Sequence, residues 1–541
     1  MTRSDNEYDY IIIGAGSAGC ALAYRLSADP RTRVLLLEAG GRDRHPVIHM
    51  PLGFALLMKH KTLNWCYQTE PERQLDNRRL SWPRGKVLGG TSAINGMVYI
   101  RGQREDFDHW RALGNRGWGY EEVLPYFKRS EHKAEGGDEF HGVDGPLWVE
   151  EVAAADRLEL AELFVRAAVQ TGLPRNADFN GASQEGAGFY QLNIRRGRRQ
   201  SSARTFLARC EGRPNLVLAT GALCQRVLLR DQRAVAVEYR RSNAVVTAHA
   251  RREVILCSGV INSPQLLELS GIGNPDLLAG LGIAPLVHLP GVGENLQDHL
   301  TINIQQGLHG LITFYEETRP LHMVKNLFRY LFQGRGLLAH PASQAGVFFR
   351  SDAARTRPDA QVHFAPAASE DDGKGNLRTR PGTTATVCHL RPRSRGSVHI
   401  QSSDPTVYPR IHANYLDHEH DRRALVAAVR KVREFFAAPA LAPHRGREFL
   451  PGAGVVSDED ILAYIRTSAE SVYHPVGSCR MGCDEMAVVD ERLRVRGVAG
   501  LRVADAAIMP RITSGNTNAT AIMIAEKCAD MLIEDAADGQ G

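Results

Sequence analysis

The stretch Tyr8-Asp-Tyr-Ile-Ile-Ile-Gly-Ala-Gly-Ser-Ala-Gly-Cys20, with Val34-Leu-Leu-Leu-Glu38-Ala-Gly-Gly41 behind it, decides the fold of this chain. It reads as a buried strand, a G-x-G-x-x-G turn, a helix, a second buried strand and a terminal acid. Each part has a physical task in holding a dinucleotide. Gly14 permits a sharp exit from the strand, Gly16 leaves room for a pyrophosphate against the backbone, and Gly19 lets the helix pack closely on the sheet. The first helical amides, around Ser17 and Ala18, and the helix dipole face the phosphates. Glu38, followed by Ala39, accepts hydrogen bonds from ribose hydroxyls and repels a 2′-phosphate. Glycine-rich turns also arise for packing alone, but here strand, helix and acid arrive together at the expected distances. The turn leaves open which dinucleotide it holds.

A chain of 541 residues exceeds one compact core, so two or more domains are expected. Hydrophobic content of 43% and charged content of 23% are those of an ordinary globular protein. The net charge of +5 is spread along the chain, and its densest basic patch, residues 195–199 with Arg204, carries no interleaved aromatic residues. That argues against nucleic-acid binding and for a solvated or anion-contacting loop. No apolar run reaches the ~20 residues of a membrane span. The first strand begins within ten residues of the start, leaving no segment that reads as a signal peptide. Nine scattered cysteines do not form a disulfide framework, so a reducing cytoplasm is the expected location. Cys479 and Cys483 lie near His474 but lack a second pair, and no metal site is expected.

The opening βαβ unit predicts an α/β fold with a doubly wound parallel sheet. Strand-like segments return at 215–219, 222–230, 234–240, 253–257 and 501–504, and a helix spans about 518–532. Such returns predict a Rossmann-like nucleotide domain built from discontinuous segments. Residues 306–465 mix amphipathic helices with alternating strands such as 361–364 and 397–401, and predict an inserted α+β domain carrying an antiparallel sheet. The expected division assigns 1–155, 210–305 and 466–541 to the nucleotide domain, with a cofactor-covering segment at 50–82. Residues 156–209 and 306–465 go to the substrate domain. Residues 369–383 read as an exposed loop. The basic helix at 321–333 aligns Val324, Leu327, Phe328 and Leu331 beside Lys325 and Arg329. It is expected to cover a core, with a lid or a membrane-surface contact as the alternative.

A second glycine cluster is Pro83-Arg-Gly-Lys-Val-Leu-Gly-Gly-Thr-Ser-Ala-Ile-Asn-Gly-Met-Val98, whose turns can form an anion-holding nest. A third, Ser258-Gly-Val-Ile-Asn-Ser-Pro-Gln-Leu-Leu-Glu-Leu-Ser-Gly-Ile-Gly273, reads as strand exit, proline-started helix and glycine stop. In Ser471-Val-Tyr-His474-Pro-Val-Gly-Ser-Cys-Arg-Met-Gly482 a histidine precedes proline, where the chain is held extended and a ring nitrogen can be aimed with little entropy left to lose. Asp505-Ala-Ala-Ile-Met-Pro510 leads to Thr513-Ser-Gly-Asn516-Thr-Asn518-Ala-Thr-Ala521, where Asn518 enters a helix and reads, in isolation, as its cap.

Together these segments resemble the glucose–methanol–choline family of flavoprotein oxidoreductases, and the resemblance covers essentially the whole chain. Within the family the chain is similar to the bacterial long-chain alcohol dehydrogenases and the choline-dehydrogenase-like branch. His49-Met-Pro-Leu-Gly53 and Gly96-Met-Val-Tyr-Ile-Arg-Gly102 carry that closer likeness. The resemblance implies FAD. Gly14, Gly16, Ser17, Ala18, Glu38 and Ala39 would hold its ADP half, and Val227 would meet adenine through its backbone. Arg84, Gly85, Val87, Gly90 and Thr91 would follow the pyrophosphate. Asn95, Gly96, Met97 and Val98 would approach the isoalloxazine ring. Asp505 and Ala506 would lie near the ribityl chain, and Asn516, Asn518 and Ala519 would complete the cofactor contacts. The position that carries covalent FAD in some members corresponds to Ile94, so FAD is expected to bind non-covalently. Two departures stand out: Thr520 replaces the usual proline, and Val260 a small or hydroxylated residue.

The resemblance also implies the reaction. His474 would act as general base on an alcohol, Asn518 would donate a hydrogen bond to the developing alkoxide, and hydride would pass to flavin N5. The product is an aldehyde, and a quinone, another acceptor or O2 takes the electrons. Choline oxidation is the alternative, with Tyr473 and Glu316 or Glu317 as ammonium contacts. Hydroxynitrile lyase and fatty-acid photodecarboxylase chemistry are remote alternatives that the His474–Asn518 pair disfavours. Tyr473, Phe348, Phe364, His363 and Phe349 are candidates for the substrate pocket or for core. The identity of the alcohol and the oligomeric state are not readable.

Overall fold

A computed structural model describes residues 6–371 and 377–539. Strand β1 (Glu7–Ile13) is buried throughout, as its Tyr-Ile-Ile-Ile run requires, and pairs in parallel with β2 (Val34–Glu38). The helix between them, α1 (Ser17–Leu26), begins directly on the glycine turn. The sheet continues through Leu216–Thr220 beyond β2, and through Ala244–Leu256 and Leu501–Val503 on the other side of β1, all in parallel. The long strand Ala244–Leu256 also starts an antiparallel ribbon with Arg233–Arg241 and Ala222–Arg230. The strands expected from the sequence therefore meet in one seven-stranded sheet. The C-terminal helix Asn518–Ala537 lies against α1, fixed by Arg25, whose guanidinium reaches Glu526 at 2.5 Å and Asp530 at 2.7 Å.

A second seven-stranded sheet is antiparallel, in the order Arg445–Leu450, Leu300–Leu308, Gly382–His389, Ala360–Ala365, Ala345–Phe349 and Gly186–Phe189, with Glu470–Ser471 pairing Leu300–Leu308. Its sequence alternates as a sheet with two different faces must. Ile302, Ile304, Val362, Phe364, Ala385 and Val387 are buried on one face. Helices Glu159–Gln170 and Glu419–Ala437 lie on this sheet, where Phe164 stacks on Phe364 at 4.1 Å and meets Phe435 at 6.2 Å. The intervening residues Thr301, Asn303, Gln305, His363, Ala365, Thr384 and Thr386 line a cavity.

Three sequence expectations are corrected here. Leu300–Leu308 and Glu470–Ser471 belong to the antiparallel sheet, so the second sheet extends past the expected boundaries at 305 and 465. The stretch expected as a loop forms a two-stranded ribbon, Ala368–Asp371 with Leu377–Arg380, and residues 372–376 lie outside the described residues. The basic amphipathic helix exists as Pro320–Gln333, but its apolar face covers no core: of its residues only Asn326 is buried.

The nucleotide turn depends on a backbone approach that tolerates no side chain. Gly14 has φ +100°, and a Cβ there would meet the Cys257 carbonyl oxygen at 2.5 Å, while one on Gly19 would meet the Gly14 carbonyl oxygen at 1.9 Å. Gly14→Ala should therefore cost about 2–4 kcal/mol through strain and overpacking. Gly41→Ala, with nothing within 4 Å of the added carbon, should be close to neutral. Denaturant unfolding of both variants checks this, and equal stabilities would refute it.

Candidate active site

A cavity of about 670 Å³ is lined by both sheets, and its walls change character along its length. At the end built by the parallel sheet the lining is Gly14, Gly16, Ser17, Ala18, Glu38 and Ala39. The Glu38 carboxylate accepts from the Ala15 amide at 3.1 Å and the Gly40 amide at 2.7 Å. Burial raises its pKa to about 7. A Cβ on Gly16 would find no atom nearer than 3.9 Å, so this glycine presents open backbone to the cavity, as pyrophosphate approach requires. Leu223 and Cys224 complete this end. Val227, expected at the adenine, does not line it: its amide donates to Ser270 Oγ at 2.8 Å, tying the strand to the end of helix Gly259–Leu269.

Along the middle run Arg84, Gly85, Gly90, Thr91, Asn95, Gly96, Met97 and Val98, with Asp505 and Ala506 opposite. Asp505 accepts from the amides of Gly259 at 2.8 Å and Ala507 at 2.7 Å and from Ser263 Oγ at 2.7 Å, so its carboxylate holds three turns together. Val87 and Ala519 do not reach the cavity. Val87 packs in a small core with Ile48, Leu57 and Leu63, and Ala519 lies in the main core. Ile94 does line the cavity, with an alkyl side chain that offers no atom for a covalent bond to a cofactor. From the covering segment come Phe54, Met58 and Trp65, the indole carrying the Lys86 ammonium 4.3 Å from its centroid. The glycine turn, the open Gly16 and the acid at the end of β2 fit the ADP half of a dinucleotide. The long cavity beyond fits an extended flavin.

The other end of the cavity is organised around His474, which is 8% exposed. Its amide donates to Asp298 Oδ1 at 2.8 Å, and the other oxygen of Asp298 accepts from the hydroxyls of Ser471 and Tyr415. Burial raises Asp298 to about 6. The preceding residue, Tyr473, is held in the left-handed region at φ 68°, with its carbonyl accepting from Arg84 Nη2 at 2.6 Å. A tyrosine in that conformation is strained, and such strain persists only where surrounding contacts impose it.

The tautomer of His474 follows from a chain of hydrogen bonds. His299 Nε2 lies 3.0 Å from the Leu390 carbonyl oxygen, which can only accept, so that nitrogen carries the hydrogen. Burial lowers His299 to about 3, so it is neutral and its Nδ1 is bare. The Nδ1 atoms of His299 and His474 are 3.1 Å apart, so the hydrogen between them sits on His474. His474 Nε2 is then unprotonated, and it accepts from Asn516 Nδ2 at 3.0 Å. Burial, together with His299, His363 and Arg84, holds His474 well below the usual histidine range. The result is a neutral imidazole whose Nε2 lone pair meets Asn516 at the cavity wall.

The partner at that lone pair is Asn516, where the sequence reading expected Asn518. Asn518 also lines the cavity, but its Oδ1 accepts from Ser17 Oγ at 2.7 Å, joining the C-terminal helix to the nucleotide turn. Asn516 is oriented from behind by Gln361, whose Nε2 donates to its Oδ1 at 3.3 Å. Thr520, in the usual proline's place, ties the loop down through a 3.1 Å bond from its hydroxyl to the Arg101 carbonyl. Val260 lines the cavity, and its carbonyl accepts from Ser478 Oγ at 2.6 Å.

Among the expected pocket residues, Tyr473 and His363 line the cavity. Phe348 and Phe364 do not: both are buried, Phe348 against Phe179 at 4.9 Å and Phe364 on Phe164. Strand alternation sends Phe364 to the helix side because His363 and Ala365 face the cavity. Phe349 is core as well. Glu316 and Glu317 are engaged elsewhere, the first with Thr313 and the second with Asn326. Asp298, His299 and Gln361 escaped the sequence reading. The available signal was Gln-Asp-His set between Leu296 and Leu300 at the entry to an apolar strand, a titratable pair in a run that must be buried.

Comparison with known proteins agrees with this geometry. The GMC oxidoreductase N-terminal profile matches residues 8–301 and its C-terminal profile residues 392–525. An alcohol dehydrogenase [acceptor] of Pseudomonas putida is 46% identical over 97% of this chain and 96% of its own length. An oxygen-dependent choline dehydrogenase of Yersinia pseudotuberculosis is 47% identical over 97% of this chain and 94% of its own. The solved structure of an FAD-dependent oxidoreductase from Chaetomium thermophilum superposes with a TM-score of 0.90 at 29% identity, covering 98% of this chain and all of that one. The two glycine clusters, the cavity they share and the His474 end thus belong to one design, and the chain is a member of the GMC oxidoreductase family of FAD-binding flavoproteins.

Proposed function

We propose that the protein oxidises an uncharged primary alcohol to an aldehyde, with FAD bound non-covalently and a quinone or another non-oxygen acceptor taking the electrons. The observation that carries this reading is the pair His474 Nε2 and Asn516 Nδ2, 3.0 Å apart on the cavity wall, where an unprotonated ring nitrogen accepts from an amide donor. A hydroxyl that takes the place of this hydrogen bond gives its proton to His474 Nε2 and receives a hydrogen bond on its oxygen from Asn516. His299 holds the imidazole in the tautomer that can accept, and Asp298 fixes the backbone that carries it. Bound FAD supplies the two-electron acceptor for the hydride of the carbinol carbon. The role expected of Asn518 thus passes to Asn516.

Three strands of the antiparallel sheet favour an uncharged alcohol over choline. Strands Leu300–Leu308, Ala360–Ala365 and Gly382–His389 present Thr301, Asn303, Gln305, His363, Ala365, Thr384 and Thr386 to the cavity, hydroxyl, amide, imidazole and methyl groups, while Glu470 on the edge strand Glu470–Ser471 lines the same cavity with a carboxylate. A quaternary ammonium needs aromatic faces or a negative charge, so Tyr473 and Glu470 at the cavity wall keep choline as the second reading. No helix among the described residues is long and apolar enough to cross a membrane. All nine cysteines are free, which supports a reducing cytoplasmic location.

Anaerobic flavin bleaching by neutral primary alcohols, compared with choline, tests the reading. Preferential bleaching by choline would overturn the substrate class, and rapid hydrogen peroxide formation in air would overturn the acceptor. His474→Ala should keep its flavin absorbance and lose about 10²–10⁴-fold in the rate of reduction. Asn516→Ala should lose about 10²-fold and Asn518→Ala much less. The reverse order would return the donor role to Asn518.

The pH profile supplies a further test. The folded pKa of His474 is lowered, so its neutral, proton-accepting form prevails above that lowered value and persists below the ordinary histidine pKa. The plateau of kcat/KM should extend from pH 8 to about 6.5. It should then fall as pH drops through about 6, where Asp298 takes up a proton and loses an acceptor for its donors. A limb centred at pH 7 or above would contradict a neutral, desolvated His474.

A further inference from the structure

The helix Pro320–Gln333 presents an apolar face that nothing among the described residues covers. Leu321, Val324, Leu327, Phe328, Leu331 and Phe332 are 48 to 86% exposed. At 100° per residue they fall on one continuous arc, and Asn326 on the opposite side is the residue that anchors the helix, its amide reaching Glu317 at 2.6 Å. The helix is therefore fixed by its polar side, with its greasy side turned outward.

The charge along the helix is basic, with Asp156, paired to Arg335 at 3.4 Å, as an acid at its C-terminal end. Helical spacing sets Lys325, Arg329 and His322 along one border of the apolar arc, and Arg319 and Arg335 flank the helix ends. From residue 318 to 335 there is no acidic side chain. The hairpin Ile194–Arg195 with Arg198–Arg199 abuts the helix end closely enough that a Cβ on Gly197 would lie 2.1 Å from the Gly334 carbonyl oxygen, and it adds exposed Arg195, Arg196 and Arg198. An apolar stripe edged by cations fits the boundary between headgroups and acyl chains of an anionic bilayer. It fits a second copy of the chain poorly, because a two-fold contact through this helix would bring its basic border against itself.

The surface also adjoins the cavity. After Gly334 the chain makes the turn Leu337–Ala339, which packs on Pro51–Gly53, and Ala342 and Ser343 then line the cavity. On the other side of that contact Phe54 and Met58 line the cavity while Leu56 is 65% exposed. The apolar helix, Leu56 and the cavity rim thus share one side of the molecule.

We propose that residues 319–335, with Leu56 and the arginines of the 194–199 hairpin, form a docking surface for an anionic lipid bilayer, which brings the cavity rim to the membrane face. This would give lipid-dissolved substrates or acceptors access without diffusion through water. Binding to a bilayer is measurable without turnover, so its failure would leave the reaction assignment standing.

The test is co-sedimentation of the flavin-loaded, full-length protein with vesicles of phosphatidylcholine alone or mixed with phosphatidylglycerol. The protein should pellet with the anionic vesicles, and the bound fraction should fall as salt is raised. Lys325→Gln combined with Arg329→Gln should weaken partitioning by about 30-fold, and Leu331→Ser with Phe332→Ser by about tenfold or more. Both variants should reduce flavin with a soluble alcohol at the wild-type rate, which shows them folded. Equal recovery in the supernatant with and without anionic vesicles would overturn the proposal. So would light scattering that shows a dimer dissociated by Leu331→Ser and Phe332→Ser, which would assign the face to a second copy.

Discussion

Asp298 and His299 are the two adjacent residues on which the geometry of this centre rests. They stand at the entry to the strand Leu300–Leu308, so the register of the antiparallel sheet sets their positions. Asp298 gathers the His474 amide and the hydroxyls of Ser471 and Tyr415, drawing together chain segments more than a hundred residues apart. His299 passes the constraint from the Leu390 carbonyl to the imidazole of His474 and determines which ring nitrogen is bare. A buried carboxylate is costly unless its oxygens are filled, and a buried neutral imidazole must resolve its donor and acceptor before it can serve as a base. Both requirements are met by the same loop.

The two sheets divide the work by their physical character. The parallel sheet is apolar on both faces, and what it offers a ligand is backbone: glycine turns, helix amides and one acid at a strand end. The antiparallel sheet is apolar on one face only. That face is closed by two helices, and the other supplies side chains of modest polarity to the cavity. The nucleotide end is therefore rigid and generic, while the substrate end can vary residue by residue without disturbing the core behind it.

The helix Pro320–Gln333 stands outside this economy. Every other long amphipathic helix in the protein turns its apolar stripe inward, as burial of apolar surface demands. This one spends its only buried contact on an asparagine, and exposes six large apolar side chains next to the route into the cavity. The same periodicity in the sequence cannot distinguish a helix that covers a core from one that faces another apolar phase, because the stripe looks identical in both.

Much of the architecture was legible from the chain alone because it rests on local patterns. The strand–turn–helix of residues 8–26, the acid at Glu38, the returning strands near 216–256 and 501–503 and the alternation of the second sheet are written in residue type and spacing. His474 was singled out by its place before Pro475, but its expected role as a base came only from the family resemblance. What only the tertiary structure decided were contacts between distant segments. Asn516 and Asn518 are two residues apart at the start of one helix, and composition cannot tell which side chain meets His474 and which meets Ser17. Strand facing removed Phe364 from the pocket and put His363 in it, while Phe348, on the same sheet face as His363, is covered by Phe179. Val227 gave way to Leu223 and Cys224 because its amide was already committed to Ser270. The proposed base, His474, has an accepting nitrogen only because His299, 175 residues away, holds its hydrogen on the far nitrogen.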